Sequence, residues 1–325
     1  MDKLNWGIIG CGDVTEVKSG PAFNKVPHSS LVAVMRRDEE KLKDYARRHH
    51  VPVCHTDAFA LIHDPQVNAV YIATPPSSHA AYTIAALEAG KPVYVEKPMA
   101  MNAAEAAVMQ QVATKHNVKL AVAHYRRAQP LFQHIKNLLE ANAIGTVRTV
   151  QLSLYKNVLK PDELVIPKTA WRVNAAVSGG GLFHDLAPHQ LDILYYYFGE
   201  AKKVNGIAVN QAGAYTAADM VAGTILFEKN ILFTGQWCFS LEAGAETDTC
   251  EITGTKGRIR FSFFEQLPVE LTTAQGNELI NFEPLLHVQQ PMIEKVCRYF
   301  RGEEDNPCSG GEGVTVMQWM ESIAG

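Results

Sequence analysis

The sequence predicts two domains of different class. Residues 1–123 are predicted to form an α/β domain with a doubly wound parallel sheet, because short apolar runs alternate there with helical segments. Residues 124–325 are predicted to form an α+β domain with an open, mainly antiparallel sheet and flanking helices, because alternating strands follow one another and short turns join several of them. The C-terminal helix of this domain is allowed to pack back toward the first domain. The length of 325 residues, above that of most compact single domains, also favours two domains.

The amino-acid composition limits the class of protein, the partners and the location that we expect. Hydrophobic residues make up 47% and charged residues 20% of the chain, which is enough for a globular core. A net charge of -4 argues against a nucleic acid or an anionic membrane as partner. Six scattered cysteines without a C-x-x-C pair favour reduced thiols, and no apolar run has the length of a signal peptide or a membrane span. We therefore expect a cytoplasmic protein.

The first strand, Trp6–Ile9, ends in a glycine turn over residues 10–15. Gly10 permits a tight turn, and Gly12 lets the backbone approach a pyrophosphate, whose charge the next helix start favours. This pattern predicts a dinucleotide-binding Rossmann domain, although a plain strand-to-helix turn remains the alternative. Thr15 replaces the usual third glycine, which puts cofactor affinity in question more than the fold. The predicted cofactor contacts here are Gly10, Gly12, Asp13 and Val14.

The second strand, Leu31–Met35, ends in Arg36-Arg37-Asp38, about twenty residues beyond the glycine turn, where this fold reads the adenosine ribose. Two guanidinium groups attract a 2'-phosphate, so Arg36 and Arg37 favour NADP. A carboxylate accepts from unmodified ribose hydroxyls, so Asp38 leaves NAD open. The alternative is a solvated charge run at the start of a helix.

Two further strands end in candidate ligand contacts. The third, Val67–Ala73, leads into the segment 74–79, whose two prolines form a rigid ledge for a flat ring or simply a stiff turn. The fourth, Pro92–Val95, ends in Glu96-Lys97-Pro98, at the sheet edge where open α/β sheets place ligands, although a surface ion pair is the alternative. The predicted contacts are Thr74, Pro75, His79, Glu96 and Lys97.

In the second domain, the segment 179–192 combines three glycines with a predicted helix. Asp185 and His189 lie four residues apart, so both project from one helix face, where a carboxylate can orient an imidazole for acid/base chemistry. An ordinary surface histidine is the alternative. A hydrolytic metal site with Asp192 as a further ligand is another, but no second ligand cluster stands out and we predict no metal.

Together these motifs resemble the Gfo/Idh/MocA family of NAD(P)-dependent oxidoreductases over essentially the whole chain. The resemblance rests on Gly10-Cys11-Gly12, the segment 74–79, Glu96-Lys97-Pro98, Trp171-Arg172 and Gly179-Gly180-Gly181 followed by Asp185, His189 and Asp192. It implies hydride transfer to or from sugars, polyols and related small molecules. It also implies homodimers or homotetramers that form through the outer face of the second sheet.

The resemblance also implies residue roles. Lys97 would stabilise the developing alkoxide, His189 would exchange the hydroxyl proton as acid/base, and Asp185 would orient the substrate or the imidazole. Further contacts are Tyr125 for the substrate, and Trp171 and Arg172 for the cofactor, with Trp171 also open as a substrate wall. Two alternatives remain: a glycosidase that oxidises and re-reduces its sugar with bound NAD, and a non-catalytic NADP-sensing regulator.

Overall fold

The computed structural model describes residues 2–325, apart from the side chain of residue 168. It divides into two compact units, the first formed by the chain up to Gln129 with Leu285–Met317, the second by Pro130–Pro284 with Gln318–Gly325. The sequence placed the boundary after residue 123 and assigned the remainder to the second domain, with its C-terminal helix allowed to pack back toward the first. In the structure, Leu285–Met317 belongs to the first unit, where Phe300 stacks on Trp6 with ring centroids 5.6 Å apart.

The first unit contains a parallel six-stranded sheet. Its strands are β1 Leu4–Ile9, β2 Ser29–Met35, β3 Val53–His55, β4 Ala69–Ile72, β5 Val93–Val95 and β6 Leu120–Val122. The strand order is β3-β2-β1-β4-β5-β6, and every neighbouring pair is parallel. This confirms the doubly wound sheet. Strand order reverses beside β1, so the ends of β1 and β4 form the switch point where such sheets bind ligands.

Five helices follow these strands. They are α1 Asp13–Glu16, α2 Glu39–Arg48, α3 Ala58–His63, α4 His79–Glu88 and α5 Ala103–His116, with 3-10 turns at Gly20–Asn24, Pro76–Ser78 and Tyr125–Ala128. Side-chain caps fix three of the helix starts. Asp38, Asp57 and Asn102 each accept a hydrogen bond from the backbone amide three residues later.

The second unit contains a mixed eight-stranded sheet. Its strands are β7 Val147–Asn157, β8 Ala201–Val209, β9 Met220–Phe227, β10 Leu232–Leu241, β11 Thr247–Gly254, β12 Gly257–Phe261, β13 Val269–Thr273 and β14 Gly276–Ile280. Their order is β14-β13-β12-β11-β7-β10-β9-β8. The β7–β10 pair is parallel and the other pairs are antiparallel, which confirms a mainly antiparallel sheet.

The second unit also contains helices. They are α6 Pro130–Glu140, α7 Pro161–Leu164, α8 Pro167–Val173, α9 Ala175–Ser178 and α10 Leu182–Phe198. Trp237 on β10 links the sheet to α10, because its indole N–H donates to Gln190 Oε1 at 2.6 Å and its ring meets Phe183 edge-on at 5.1 Å. The sheet therefore fixes the helix that carries Asp185 and His189.

Two helices end the chain, α11 Gln290–Arg301 and α12 Gly310–Ala324. α11 belongs to the first unit, whereas α12 contributes residues to both units. Within residues 2–325, no helix combines the length and the apolar character needed to cross a bilayer.

Candidate active site

The glycine turn is shaped by two different requirements. Gly10 has a φ of +92°, and a Cβ at this position would lie 2.7 Å from Thr74 Cγ2, so only glycine lets the turn pack against the end of β4. A Cβ on Gly12 would instead meet nothing closer than Gly10 O at 3.9 Å. The space in front of Gly12 is thus open, as a pyrophosphate close to the backbone requires.

Thr15 is accommodated inside this turn. It is buried, its hydroxyl donates to Gly12 O at 2.8 Å, and its carbonyl accepts from the Tyr45 hydroxyl at 3.0 Å. The side chain therefore does not take the space in front of Gly12. Because α1 is only four residues long, its dipole is small, and phosphate binding here would depend on the amides at the helix start.

Arg36 and its neighbours differ in their contacts. Arg36 Nη1 donates to Cys11 O at 2.9 Å, which anchors the guanidinium on the glycine turn. Arg37 is exposed. Asp38 caps α2 and pairs with Lys41 at 3.2 Å, and the Lys41 amide lowers the pKa of the Asp38 carboxyl. The three residues after β2 therefore have different partners, and which of them contacts a ribose stays a prediction.

His79 braces two loops at the switch-point edge. It is fully buried, with Nδ1 2.9 Å from Pro98 O and Nε2 2.7 Å from Thr74 O. Burial lowers the pKa of His79, whereas two carbonyl acceptors favour its doubly protonated ring. The side chain joins the loop after β4 to the Lys97-Pro98 segment, a role that the sequence did not indicate. Its contact with a cofactor stays a prediction.

Glu96 also faces inward. Its Oε1 accepts from the Tyr71 hydroxyl at 2.5 Å and from Gln289 Nε2 at 2.6 Å, and its Oε2 accepts from the backbone amide of Lys97 at 3.1 Å. All three contacts hold the carboxylate inside the first unit, where it is 6% exposed. Glu96 thus fixes the backbone of Lys97, whose side chain is half-buried. Direct cofactor binding by Glu96 stays a prediction.

Two other predicted contacts of the first unit follow strand ends in the chain: Thr74 comes after β4 and Tyr125 after β6. Thr74 Oγ1 accepts from Ser78 Oγ at 2.8 Å, directly before the 3-10 turn that follows Pro75. Tyr125 begins the 3-10 turn after β6 and is buried, with the Arg126 guanidinium 5.7 Å from its ring centroid.

In the second unit, two glycines set the start of α10. Gly179 and Gly181 have φ of +92° and +81°, and the Gly181 amide donates to Ser178 Oγ at 3.0 Å. A Cβ on Gly181 would lie 2.5 Å from Ala217 Cβ, so the glycine lets the loop before β9 pack on the helix start. The glycine segment therefore serves close packing at this point.

Asp185 and His189 project from α10 into different surroundings. Asp185 accepts from Arg172 Nε at 2.9 Å, and the Arg172 guanidinium lies 4.7 Å from the Trp171 ring centroid. His189 is 5% exposed and its ring meets Phe264 edge-on at 5.8 Å. Phe264 was not predicted as a neighbour of His189, because its position depends on a loop after β12. It also assigned Arg172 to the cofactor without indicating its ion pair with Asp185.

The remaining helix candidate is Asp192, which is 1% exposed. Among the residues that the structure describes, no group of three or more His, Cys, Asp or Glu side chains is arranged to hold a metal ion.

Comparisons with known proteins test the resemblance. Residues 4–124 match the oxidoreductase family with an NAD-binding Rossmann fold, and residues 132–260 match the GFO/IDH/MocA C-terminal domain. The chain belongs to the GFO/IDH/MocA family. It is therefore an oxidoreductase whose first unit has an NAD-binding fold.

Similar proteins cover nearly the whole chain. Oxidoreductase P35 of Formosa agariphila is 44% identical over 326 residues, which is 99% of each protein. The 1,5-anhydro-D-fructose reductase of Ensifer adhaerens is 27% identical over 95% of this chain and 92% of its own. Among solved structures, a levoglucosan dehydrogenase in complex with NADH has a TM-score of 0.86 at 22% identity, covering 99% of this chain and 96% of its own.

Proposed function

We propose that this protein transfers a hydride between a nicotinamide cofactor and the hydroxyl- or carbonyl-bearing carbon of a sugar, polyol or related small molecule. The observation that carries the proposal is the switch-point edge of the first unit. The open glycine turn lies there beside Arg36, and Glu96 fixes the backbone of Lys97 at the end of β5. The names of the 1,5-anhydro-D-fructose reductase and the levoglucosan dehydrogenase support this substrate class.

Each role follows from ordinary acid/base chemistry. The nicotinamide, when bound, accepts or supplies the hydride. Hydride loss from an alcohol carbon requires loss of the hydroxyl proton, and His189 takes this proton, or returns it during carbonyl reduction. The Lys97 ammonium stabilises negative charge on the substrate oxygen, which is largest in the transition state. Asp185, fixed by Arg172, orients the substrate or the imidazole.

The cofactor-binding residues proposed in the first unit are Gly10, Gly12, Asp13, Val14, Arg36, Arg37, Thr74, Pro75, His79, Glu96 and Lys97. Arg36 already bonds to the glycine turn, so its guanidinium needs little reordering to meet a 2'-phosphate, and we propose NADP as the preferred cofactor over NAD. Trp171, Arg172 and Tyr125 are proposed as further cofactor or substrate contacts.

Three variants test this function. In the Lys97→Ala and His189→Ala variants we expect turnover to be lost, and in His189→Ala we expect NADPH binding in a fluorescence titration to be retained; full turnover in either variant would remove that residue from the mechanism. Arg36→Asp should reverse the ratio of the NADPH and NADH dissociation constants, because it replaces an attractive charge by a repulsive one. An unchanged ratio would show that the ribose is read elsewhere.

The substrate screen should pair sugars, inositols, uronates and ketoses with NADPH or NADP and follow nicotinamide absorbance. Release of an aglycone from a glycoside without a net absorbance change would indicate the NAD-dependent glycosidase instead. Cofactor binding without turnover of any substrate would favour the regulator.

We also propose a cytoplasmic homodimer or homotetramer that forms through the open face of the eight-stranded sheet. Strand register places Leu232 and Leu279 on this face, opposite the buried face that carries Trp237, and both side chains are about half exposed. Light scattering after size-exclusion chromatography measures the mass. A monomer at micromolar concentration would contradict this assembly.

A further inference from the structure

A short loop after β12 is held rigidly beside His189. The Asp248 carboxylate on β11 accepts hydrogen bonds from three consecutive amides, those of Phe263, Phe264 and Glu265, and Ser262 Oγ donates to Glu265 O. Asp248 is only 6% exposed, so solvent competes little for these bonds. The loop therefore holds Phe264 in a defined position.

Phe264 presents an apolar surface next to the proposed acid/base residue. Its ring meets the His189 imidazole edge-on, with centroids 5.8 Å apart and planes at 73°. His189 is nearly buried, whereas Phe264 keeps part of its ring accessible. A molecule that reaches His189 from solvent would thus meet this ring.

A cation lies over the same ring. Lys156 Nζ is 5.8 Å from the Phe264 ring centroid. Along β7, Leu152 and Leu154 point into the core, so strand alternation places Lys156 on the same face of the sheet. The contact is near the limit of about 6 Å for a cation–π interaction and is worth little by itself.

The Lys156 ammonium is not held in a close ion pair, and its nearest acidic influence is the electrostatic one on Glu246. Within residues 2–325, no carboxylate oxygen lies within 4.0 Å of Lys156 Nζ. The two acidic residues near it in the sheet have other partners: Asp248 holds the Phe264 loop, and Glu246 accepts from Asn157 Nδ2 and from the Gly244 amide. A partly buried cation that is in no close ion pair, beside an aromatic surface, is equipped to bind an anionic group.

We propose that Phe264 and Lys156 form a substrate subsite that selects sugars carrying a carboxylate, such as uronic or aldonic acids. The C–H face of the sugar packs on the Phe264 ring, and the carboxylate pairs with the Lys156 ammonium. The inference rests on the proposed function, because His189 provides the reference point for the reacting carbon.

The experiment compares substrates that differ only in the carboxylate, glucose with glucuronate and galactose with galacturonate, in nicotinamide-linked turnover. Wild-type protein should have the higher kcat/KM for the uronates. Lys156→Met should raise KM for the uronates about tenfold and leave the values for the neutral hexoses unchanged, since a single hydrogen-bonded charge pair is lost. Phe264→Ala should raise KM for both members of each pair, with the dissociation constant of NADPH unaffected.

Lys203→Met is the matched control, because Lys203 is an exposed lysine on β8 of the same sheet and should have no effect. Equal effects of Lys156→Met on uronates and hexoses, or no effect on either, would overturn the subsite. If none of these sugars is turned over, that result counts against the proposed function but not against the subsite. The subsite is then tested by calorimetric binding of glucuronate. Binding that Lys156→Met abolishes supports the subsite, and absence of binding to wild-type protein overturns it.

Discussion

The buried network around Glu96 permits a prediction with an internal control. Tyr71 and Tyr94 lie on the neighbouring strands β4 and β5, their rings stack at 5.2 Å, and both are fully buried. The Tyr71 hydroxyl donates to the Glu96 carboxylate at 2.5 Å, whereas the Tyr94 hydroxyl donates to the neutral Gln289 Oε1 at 3.3 Å. Replacement by phenylalanine removes one oxygen at each site without changing the ring packing.

The expected losses differ because the acceptors differ. A hydrogen bond to a charged group contributes about 2 kcal/mol and one between neutral groups about 1 kcal/mol or less. Glu96 keeps its bonds from Gln289 and the Lys97 amide in either variant, so no carboxylate is left buried without a donor. For a unit of this size, Tyr71→Phe should lower the melting temperature by roughly 4–8 °C and Tyr94→Phe by roughly 2 °C.

Differential scanning calorimetry of both variants at one pH and without cofactor measures this difference. Urea unfolding gives an independent value of the free energy, provided that the slope with urea is unchanged. Equal losses in the two variants, or a larger loss for Tyr94→Phe, would refute the view that the charge on the Glu96 acceptor makes the Tyr71 hydrogen bond the stronger one. Tyr71→Phe should also reduce kcat, because the same carboxylate fixes the amide of Lys97.

Three further predictions concern the glycine turn and the short helix α1 that follows it. Gly10→Ala should lower the melting temperature by several degrees without cofactor, since the left-handed backbone costs about 1–2 kcal/mol and the new Cβ meets Thr74 Cγ2; an unchanged value would contradict the close packing. Gly12→Val should leave the melting temperature unchanged but abolish NADPH binding in a titration, and retained affinity would place the pyrophosphate elsewhere. Hydrogen bonds from Arg48 lower the pKa of Glu16 from 4.5 to about 2, so its stabilisation is present above pH 4.5 and is lost as the pH falls towards 2. With the Glu16 side chain 32% exposed, solvent screening limits this to about 1 kcal/mol, so Glu16→Gln should lower the melting temperature by about 2–4 °C at pH 7 but not near pH 2; a constant difference over this pH range would argue against the ion pair.

Local sequence patterns were sufficient to predict most of the strands and helices. The long apolar strands of both sheets were predicted because each carries its own periodicity. The strands Val53–His55 and Gly276–Ile280 were not predicted, because one has only three partly exposed residues and the other is almost entirely exposed. These two form only through pairing with a neighbour, which no local pattern reveals.

The candidate site was likewise only partly predictable from the sequence. The glycine turn could be located from sequence because a backbone requirement selects glycine at fixed positions. The inward orientation of Glu96 could not, since one of its donors, Gln289, lies 193 residues away. The ion pair of Asp185 with Arg172 was also missed, because spacing along one helix says nothing about a side chain from another helix.

The first unit is built from two separate stretches of the chain, which affects how it folds during synthesis and how it recombines during evolution. On the ribosome, the nascent chain up to Gln129 emerges long before Leu285–Met317, so Trp6 lacks its Phe300 neighbour and Glu96 its Gln289 donor until translation is nearly complete. Recombination that exchanges the inserted segment between relatives must therefore preserve two junctions instead of one.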